Sequence, residues 1–133
     1  LQFKTFTEGT TLSLDIDMHI RDSVEFTFSR DYLLMQIDPL AQYMPHKNVK
    51  YVNSSVITYE GDFSWVHDRY ISEWATNHKK YRGDQEFMWG EMEERIRYHP
   101  SVFESYKWES RQRGYAIKPL VNFHGHDVKG IVG

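Results

Sequence analysis

Apolar and polar positions alternate strictly through Leu12-Ser13-Leu14-Asp15-Ile16-Asp17-Met18. A two-residue period predicts a strand, here with four apolar side chains toward a core and both carboxylates on the other face. Ahead of it, Leu1 to Phe6 is too short to classify, and Thr7-Glu8-Gly9-Thr10 reads as a turn. Behind it, a polar passage leads to Phe26-Thr27-Phe28 and then to Tyr32–Ile37, a short apolar run closed by Asp38-Pro39. Such a run bounded by turn residues predicts a buried strand. Pro39 and Pro45 bracket a stretch that reads as irregular or as one short helical turn. Tyr51 to Tyr59, rich in β-branched and aromatic residues, is the next strand, broken by Gly61-Asp62.

Phe63, Val66, Tyr70, Ile71 and Trp74 then recur at helical spacing, with Asp62 or Ser64 as cap. Asp84 is placed to cap a second helix, whose apolar line is Met88, Met92 and Ile96 and which His99-Pro100 stops. Val102 to Trp108 reads as extended, Arg111-Gln112-Arg113-Gly114 as a basic loop, and Leu120 to His124 as a last strand ending at Gly125. Strands and helices interleave without repeat or linker, so the expectation is an α/β fold over residues 1–133, a single domain with a mixed sheet and flanking helices.

Composition narrows the classes. A chain of 133 residues with 40% hydrophobic and 16% aromatic residues can build a core. The net charge of −3 argues against nucleic-acid binding, and no apolar run approaches the length of a transmembrane segment. With no cysteine there is no disulfide, thiolate metal site or thiol nucleophile, which fits a cytoplasmic location.

Four stretches carry candidate chemistry. Asp15 and Asp17 would repel each other unless a cation neutralises them, and carboxylate oxygens suit Mg²⁺ or Mn²⁺. A solvated edge strand explains them equally well. Asn53-Ser54-Ser55-Val56 puts small polar residues in a strand and leaves room for a ligand, although an ordinary strand with one polar face is the simpler reading. Gly83-Asp84-Gln85-Glu86-Phe87 sets a carboxylate and an amide at a helix start, where Asp84 can serve only as cap and the Gln85 amide suits a sugar hydroxyl. In Phe123-His124-Gly125-His126-Asp127-Val128-Lys129 an imidazole can ligate a metal, a glycine admits close backbone approach, and a lysine can bind phosphate. His19, His46, His67, His78 and His99 read as structural or exposed.

Taken in order, these stretches resemble a family. Leu14-Asp15-Ile16-Asp17 resembles the DxD motif of glycosyltransferases of the GT-A fold. Val52-Asn53-Ser54-Ser55-Val56-Ile57 resembles their Asn-Ser-Gly-Val strand, with Ser55 where glycine is usual. Gly83-Asp84-Gln85-Glu86-Phe87 resembles their Asp-Gln helix start, and Ser105-Tyr106-Lys107 an element of phage and bacterial members. Phe123-His124-Gly125 followed by Lys129 resembles the closing His-Gly-x-x-Lys-Pro segment, with one residue more before the lysine and Gly130 in place of proline. Glycogenin and the lipopolysaccharide galactosyltransferases are distant relatives of this type. Only eleven residues precede Leu12, so by this resemblance the chain is expected to be the C-terminal portion of a partial GT-A domain whose nucleotide-binding N-terminal half is missing.

The resemblance implies an enzyme that moves a sugar from a nucleotide diphosphate sugar to an acceptor hydroxyl. Asp15, Asp17 and His124 would hold Mn²⁺ or Mg²⁺. Asp84 and Gln85 would take the catalytic positions, and Asn53, Ser54, Gly125 and Lys129 would bind substrate. Two other classes compete: a non-catalytic carbohydrate-binding or assembly module that keeps the fold, and a metal-dependent phosphoester hydrolase using Asp15, Asp17 and His124.

Overall fold

The longest strand, β4 (Val52–Glu60), lies inside a four-stranded sheet, and its sequence explains why. Val52 and the five residues from Ser55 to Tyr59 are all buried, so both faces of the strand are covered. The computed structural model describes residues 2–39, 52–81 and 83–123. In the larger sheet, β1 (Thr10–Leu14) and β3 (Leu33–Ile37) flank β4 antiparallel, and β5 (Ile96–Tyr98) adds parallel to β3. In the smaller sheet, β2 (Met18–Ile20) pairs antiparallel with β7 (Leu120–Asn122), which pairs parallel with β6 (Phe103–Ser105). Both sheets are mixed and helices flank them, so the architecture is α/β.

A short helix, α1 (Gln2–Thr5), precedes β1 and sends Phe3 against Tyr59, with ring centroids 5.4 Å apart. Tyr59 continues to Phe63 at 5.2 Å, and its hydroxyl donates to the Phe6 carbonyl at 3.1 Å. The main core gathers Leu33, Met35, Tyr59, Phe63, Val66, Phe87, Met88 and Met92 between the larger sheet and the helices. A second cluster, Val56, Val102, Phe103 and Leu120, lies between the two sheets.

Gln36 ties the sheets together. It is 4% exposed. Its Nε2 donates to the Phe103 carbonyl at 2.8 Å, and its Oε1 accepts from the N–H groups of Val102 at 2.8 Å and Phe103 at 3.2 Å. A side-chain amide with both ends matched to backbone groups substitutes for strand pairing where β3 and β6 meet.

Several local expectations change. The strand expected over Leu12–Met18 stops at Leu14. Residues 15–18 form a tight turn closed by the Met18 N–H on the Asp15 carbonyl at 3.2 Å, and the chain re-enters the other sheet as β2. The alternation is thus strand, turn, strand, with Ile16 fully exposed at the turn instead of facing the core.

The helical stripe from Phe63 breaks at Glu73 into α2 (Ser64–Ser72) and α3 (Trp74–Lys80). Asn77, one turn into α3, is buried and donates back across the break through Nδ2 to the Tyr70 carbonyl at 2.9 Å, satisfying a group the shortened helix leaves open. Phe63 and Val66 are buried as expected, whereas Ile71 and Trp74 are exposed.

The next helix, α4 (Asp84–Met92), buries Met88 and Met92. Ile96 is also buried, but from β5 and not from the helix. Gly83, not Asp84, occupies the cap position; Asp84 is the first helical residue. Beyond β6 the chain winds into a π-helical turn, Tyr106–Ser110, and continues as α5 (Arg111–Arg113), where an extended segment and a loop were expected. Ser105 and Glu109 drive the winding: Ser105 Oγ accepts from the Trp108 N–H at 3.2 Å, and Glu109 Oε2 accepts from the Ser105 N–H at 2.9 Å. This is the reciprocal logic of a capping box.

Candidate functional site

Three of the four candidate stretches meet where β4 begins, next to the carboxyl ends of β1, β3 and β7 and the start of α4. The β1–β4 ladder carries one bond past β1, from the Asp15 N–H to the Ser55 carbonyl at 3.0 Å, which holds the turn against β4. On the other side of β4 the register is irregular. Leu34 faces Thr58 while Gln36 faces Asn53, so β4 advances five residues where β3 advances two. The intervening residues include Ser54 and Ser55. A bulge of this sort frees side chains near a sheet end to be aimed elsewhere, and bulges are over-represented beside active sites.

The two serines go separate ways, as neighbours on a strand must. Ser55 Oγ donates to Asp15 Oδ2 at 2.8 Å and accepts from Asn122 Nδ2 at 2.6 Å. Ser54 Oγ donates to Asp84 Oδ1 at 3.0 Å. Asn53 Oδ1 accepts from the Ser55 N–H at 2.8 Å, fixing the bend between them. The Gln85 amide lies across the same edge. Its Oε1 is 3.5 Å from the Ser54 nitrogen, and its Nε2 donates to Asp38 Oδ2 at 3.3 Å.

Asp17 is joined through its backbone: its carbonyl accepts from the Phe123 N–H at 3.0 Å. The chain therefore reaches Phe123 beside the Asp15–Asp17 turn. His124, Gly125 and Lys129, the three candidates of the closing segment, lie outside the described residues.

Asp15, Asp17, Asn53, Ser54, Asp84 and Gln85 thus belong to one hydrogen-bonded neighbourhood. Three members were not singled out as site residues from the sequence. Ser55 stood where the resembled motif has glycine. Asp38 read as a turn residue before Pro39 but is buried and bonded to Gln85. Asn122 is a buried polar residue in an apolar strand, a signal that could have been used, since a buried amide needs partners.

The donor set suits a hard divalent cation. Asp15 and Asp17 offer carboxylate oxygens, and the buried Oδ1 of Asn122 has no hydrogen-bond partner among the described residues. All are oxygen donors, the kind Mg²⁺ and Mn²⁺ take. Among the described residues no three His, Asp or Glu side chains cluster closely enough to cage an ion. Mg²⁺ is commonly held by one or two carboxylates plus substrate phosphates, so two carboxylates suit that mode.

Asp84 also borders a cavity of about 450 Å³ between α1, α2, α3 and α4. Among its lining residues are Phe3, Val66, Tyr70, Tyr81, Phe87 and Met88. Tyr70 and Tyr81 meet Phe87 edge-on, with centroids at 5.0 and 5.7 Å. Gly90 makes room for Tyr81: a Cβ there would lie 2.8 Å from its ring. No helix among the described residues is long and apolar enough to cross a membrane.

No protein-family model, curated protein or solved structure matches this chain.

Proposed function

We propose that this protein transfers a sugar from a nucleotide diphosphate sugar to an acceptor hydroxyl, with Mn²⁺ or Mg²⁺ held by Asp15 and Asp17. The observation that carries the reading is the convergence just described. Three stretches that each resemble a motif of GT-A glycosyltransferases share hydrogen bonds through Ser54 and Ser55, across 30 and 40 residues of sequence, and Asn122, 67 residues from Ser55, joins them. His124, one residue beyond Phe123, is the proposed third ligand, and Lys129 and Gly125 the proposed phosphate contacts.

The ion, when bound, supplies positive charge for the departing diphosphate. The chain's own residues do the rest. Ser55 holds one oxygen of Asp15 and thereby its orientation, and Asn122 in turn holds Ser55. Such a supporting shell fixes ligand geometry before substrate arrives. Asp84 and Gln85 face the sugar side. Asp84 Oδ1 is occupied by Ser54 and by the Gln85 N–H at 2.8 Å, which leaves Oδ2 to accept from a substrate hydroxyl. The Gln85 amide is steadied against Asp38 and keeps donor and acceptor character at the same edge.

Calorimetric Mn²⁺ titration, paired with a nucleotide-release assay over a panel of nucleotide diphosphate sugars, tests this. Asp17→Asn removes a charge from the metal shell but keeps the backbone carbonyl that holds Phe123, so Mn²⁺ affinity and nucleotide release should both fall at least tenfold. Asp84→Asn should leave Mn²⁺ affinity unchanged and lower transfer. Mn²⁺-independent behaviour of the unaltered protein, with no nucleotide released from any donor, would reject the reading and favour the non-catalytic carbohydrate-binding module.

A further inference from the structure

Asp84 belongs to two places at once. One oxygen of its carboxylate anchors the polar row through Ser54, and the residue also forms part of the wall of the 450 Å³ cavity. The interior of that cavity is apolar and aromatic. Phe3 comes from α1, Val66 and Tyr70 from α2, and Phe87 and Met88 from α4. Polar groups are few: His67, His78 and Lys79 accompany Asp84. A pocket of a few hundred Å³ with an apolar lining and a small number of convergent polar groups is the usual form of a small-molecule site.

An ordinary free sugar would gain little from such a lining, because its hydroxyls would be stripped of water without partners. A phenyl or short alkyl group would instead gain apolar contact there, with Tyr70 and Phe87 among the aromatic residues that line it. We infer that this cavity binds the apolar portion of an amphipathic hydroxyl-bearing ligand, an aryl or short alkyl glycoside or alcohol, with a hydroxyl directed to Asp84. Joined to the proposed transfer reaction, on which this assignment of role rests, the ligand is the acceptor. The specificity then lies in the non-sugar part of the acceptor, read by α2 and α4.

The test compares phenyl β-D-glucopyranoside with methyl β-D-glucopyranoside by calorimetry, with tryptophan fluorescence as a second readout because Trp65 packs against the same core. The phenyl compound should bind saturably and at least tenfold more tightly. Tyr70→Ala removes one aromatic wall and should weaken phenyl binding at least tenfold while leaving Mn²⁺ affinity unchanged. Tyr70 also packs on Phe87, so Gly90→Ala serves as an independent variant. It changes no lining side chain but pushes the Tyr81 ring aside, and it should likewise reduce phenyl binding. Circular dichroism and thermal melting establish that each variant is folded.

Equal affinity for the two glucosides, or phenyl binding unchanged in both folded variants, overturns the inference. Phenyl binding without nucleotide release would leave the cavity assignment standing and remove the transferase reading. Nucleotide release without selective phenyl binding would do the reverse.

Discussion

At the scale of single residues, Glu91 shows how one polar contact registers pH. The Tyr81 hydroxyl donates to Glu91 Oε1, and Lys80 Nζ stands 3.5 Å from the same oxygen. The Tyr81 bond first, and the Lys80 charge after it, hold the Glu91 carboxyl below its ordinary range. A carboxyl depressed on folding contributes stability above its unfolded pKa and loses it as pH falls through the folded value. Thermal stability should therefore decline on acidification below the ordinary glutamate value of 4.5. Glu91→Gln should flatten part of that decline, because the amide has no proton to gain. Melting temperatures between neutral pH and the acid limb, for both proteins, check it. Superimposable slopes would show that the contact is not maintained in solution. Since Tyr81 also lines the cavity, this contact helps position one of its walls.

At the scale of elements, the side-chain amide of Gln36 does the work of a strand ladder. Gln36→Leu preserves size and hydrophobicity but orphans the Val102 and Phe103 N–H groups and the Phe103 carbonyl. Each buried orphan costs about 1–3 kcal/mol. The expected loss, roughly 2–4 kcal/mol with partial relaxation, would appear as a lower urea midpoint at unchanged slope. A midpoint within error of the unaltered protein would mean water replaces the amide. Glu104 is a second buried hub. It is 1% exposed. It pairs with Arg113 Nη2 at 3.3 Å and accepts from the Ile117 N–H at 3.1 Å, binding α5 and the following segment to β6.

These hubs mark what the chain's pattern could and could not convey. β3, β4, α2 and α4 were legible because apolar periodicity reports which face is buried. The turn at Asp15–Met18 was not, because a strand that changes sheets keeps the same alternation on both sides of the corner. The break at Glu73 was hidden for a related reason, since Asn77 stabilises it with a bond no periodicity records. The π-helical turn after β6 depends on Ser105 and Glu109 facing each other, a matter of geometry. Of the candidate site, the residue types and the stretches they fall in were readable, while the serine that joins Asp15 to Asn122 became visible only in three dimensions.

At the scale of the whole molecule, the two sheets are held together by the core between them, by Gln36, and by the 15–18 turn, which passes the chain from β1 to β2. The proposed ligands sit on that last connection. Asp15 is bonded through its N–H to β4 of the larger sheet, while the Asp17 carbonyl holds Phe123 at the end of β7 in the smaller one. An ion shared by the two carboxylates would act as a rivet across a seam. Its effect should be readable in deuterium uptake. Mg²⁺ is diamagnetic, so exchange can be followed amide by amide by magnetic resonance, which paramagnetic Mn²⁺ would prevent. Saturating Mg²⁺ should slow exchange at the amides of Asp15 and Phe123 together, on both banks of the seam, and leave the amides of α3 unchanged. Protection confined to one bank would place the ion on a single sheet, and a uniform change across the chain would make it a nonspecific stabiliser. The corner that disguised itself as a continuous strand would then be the place where the two halves of the fold sense whether substrate has arrived.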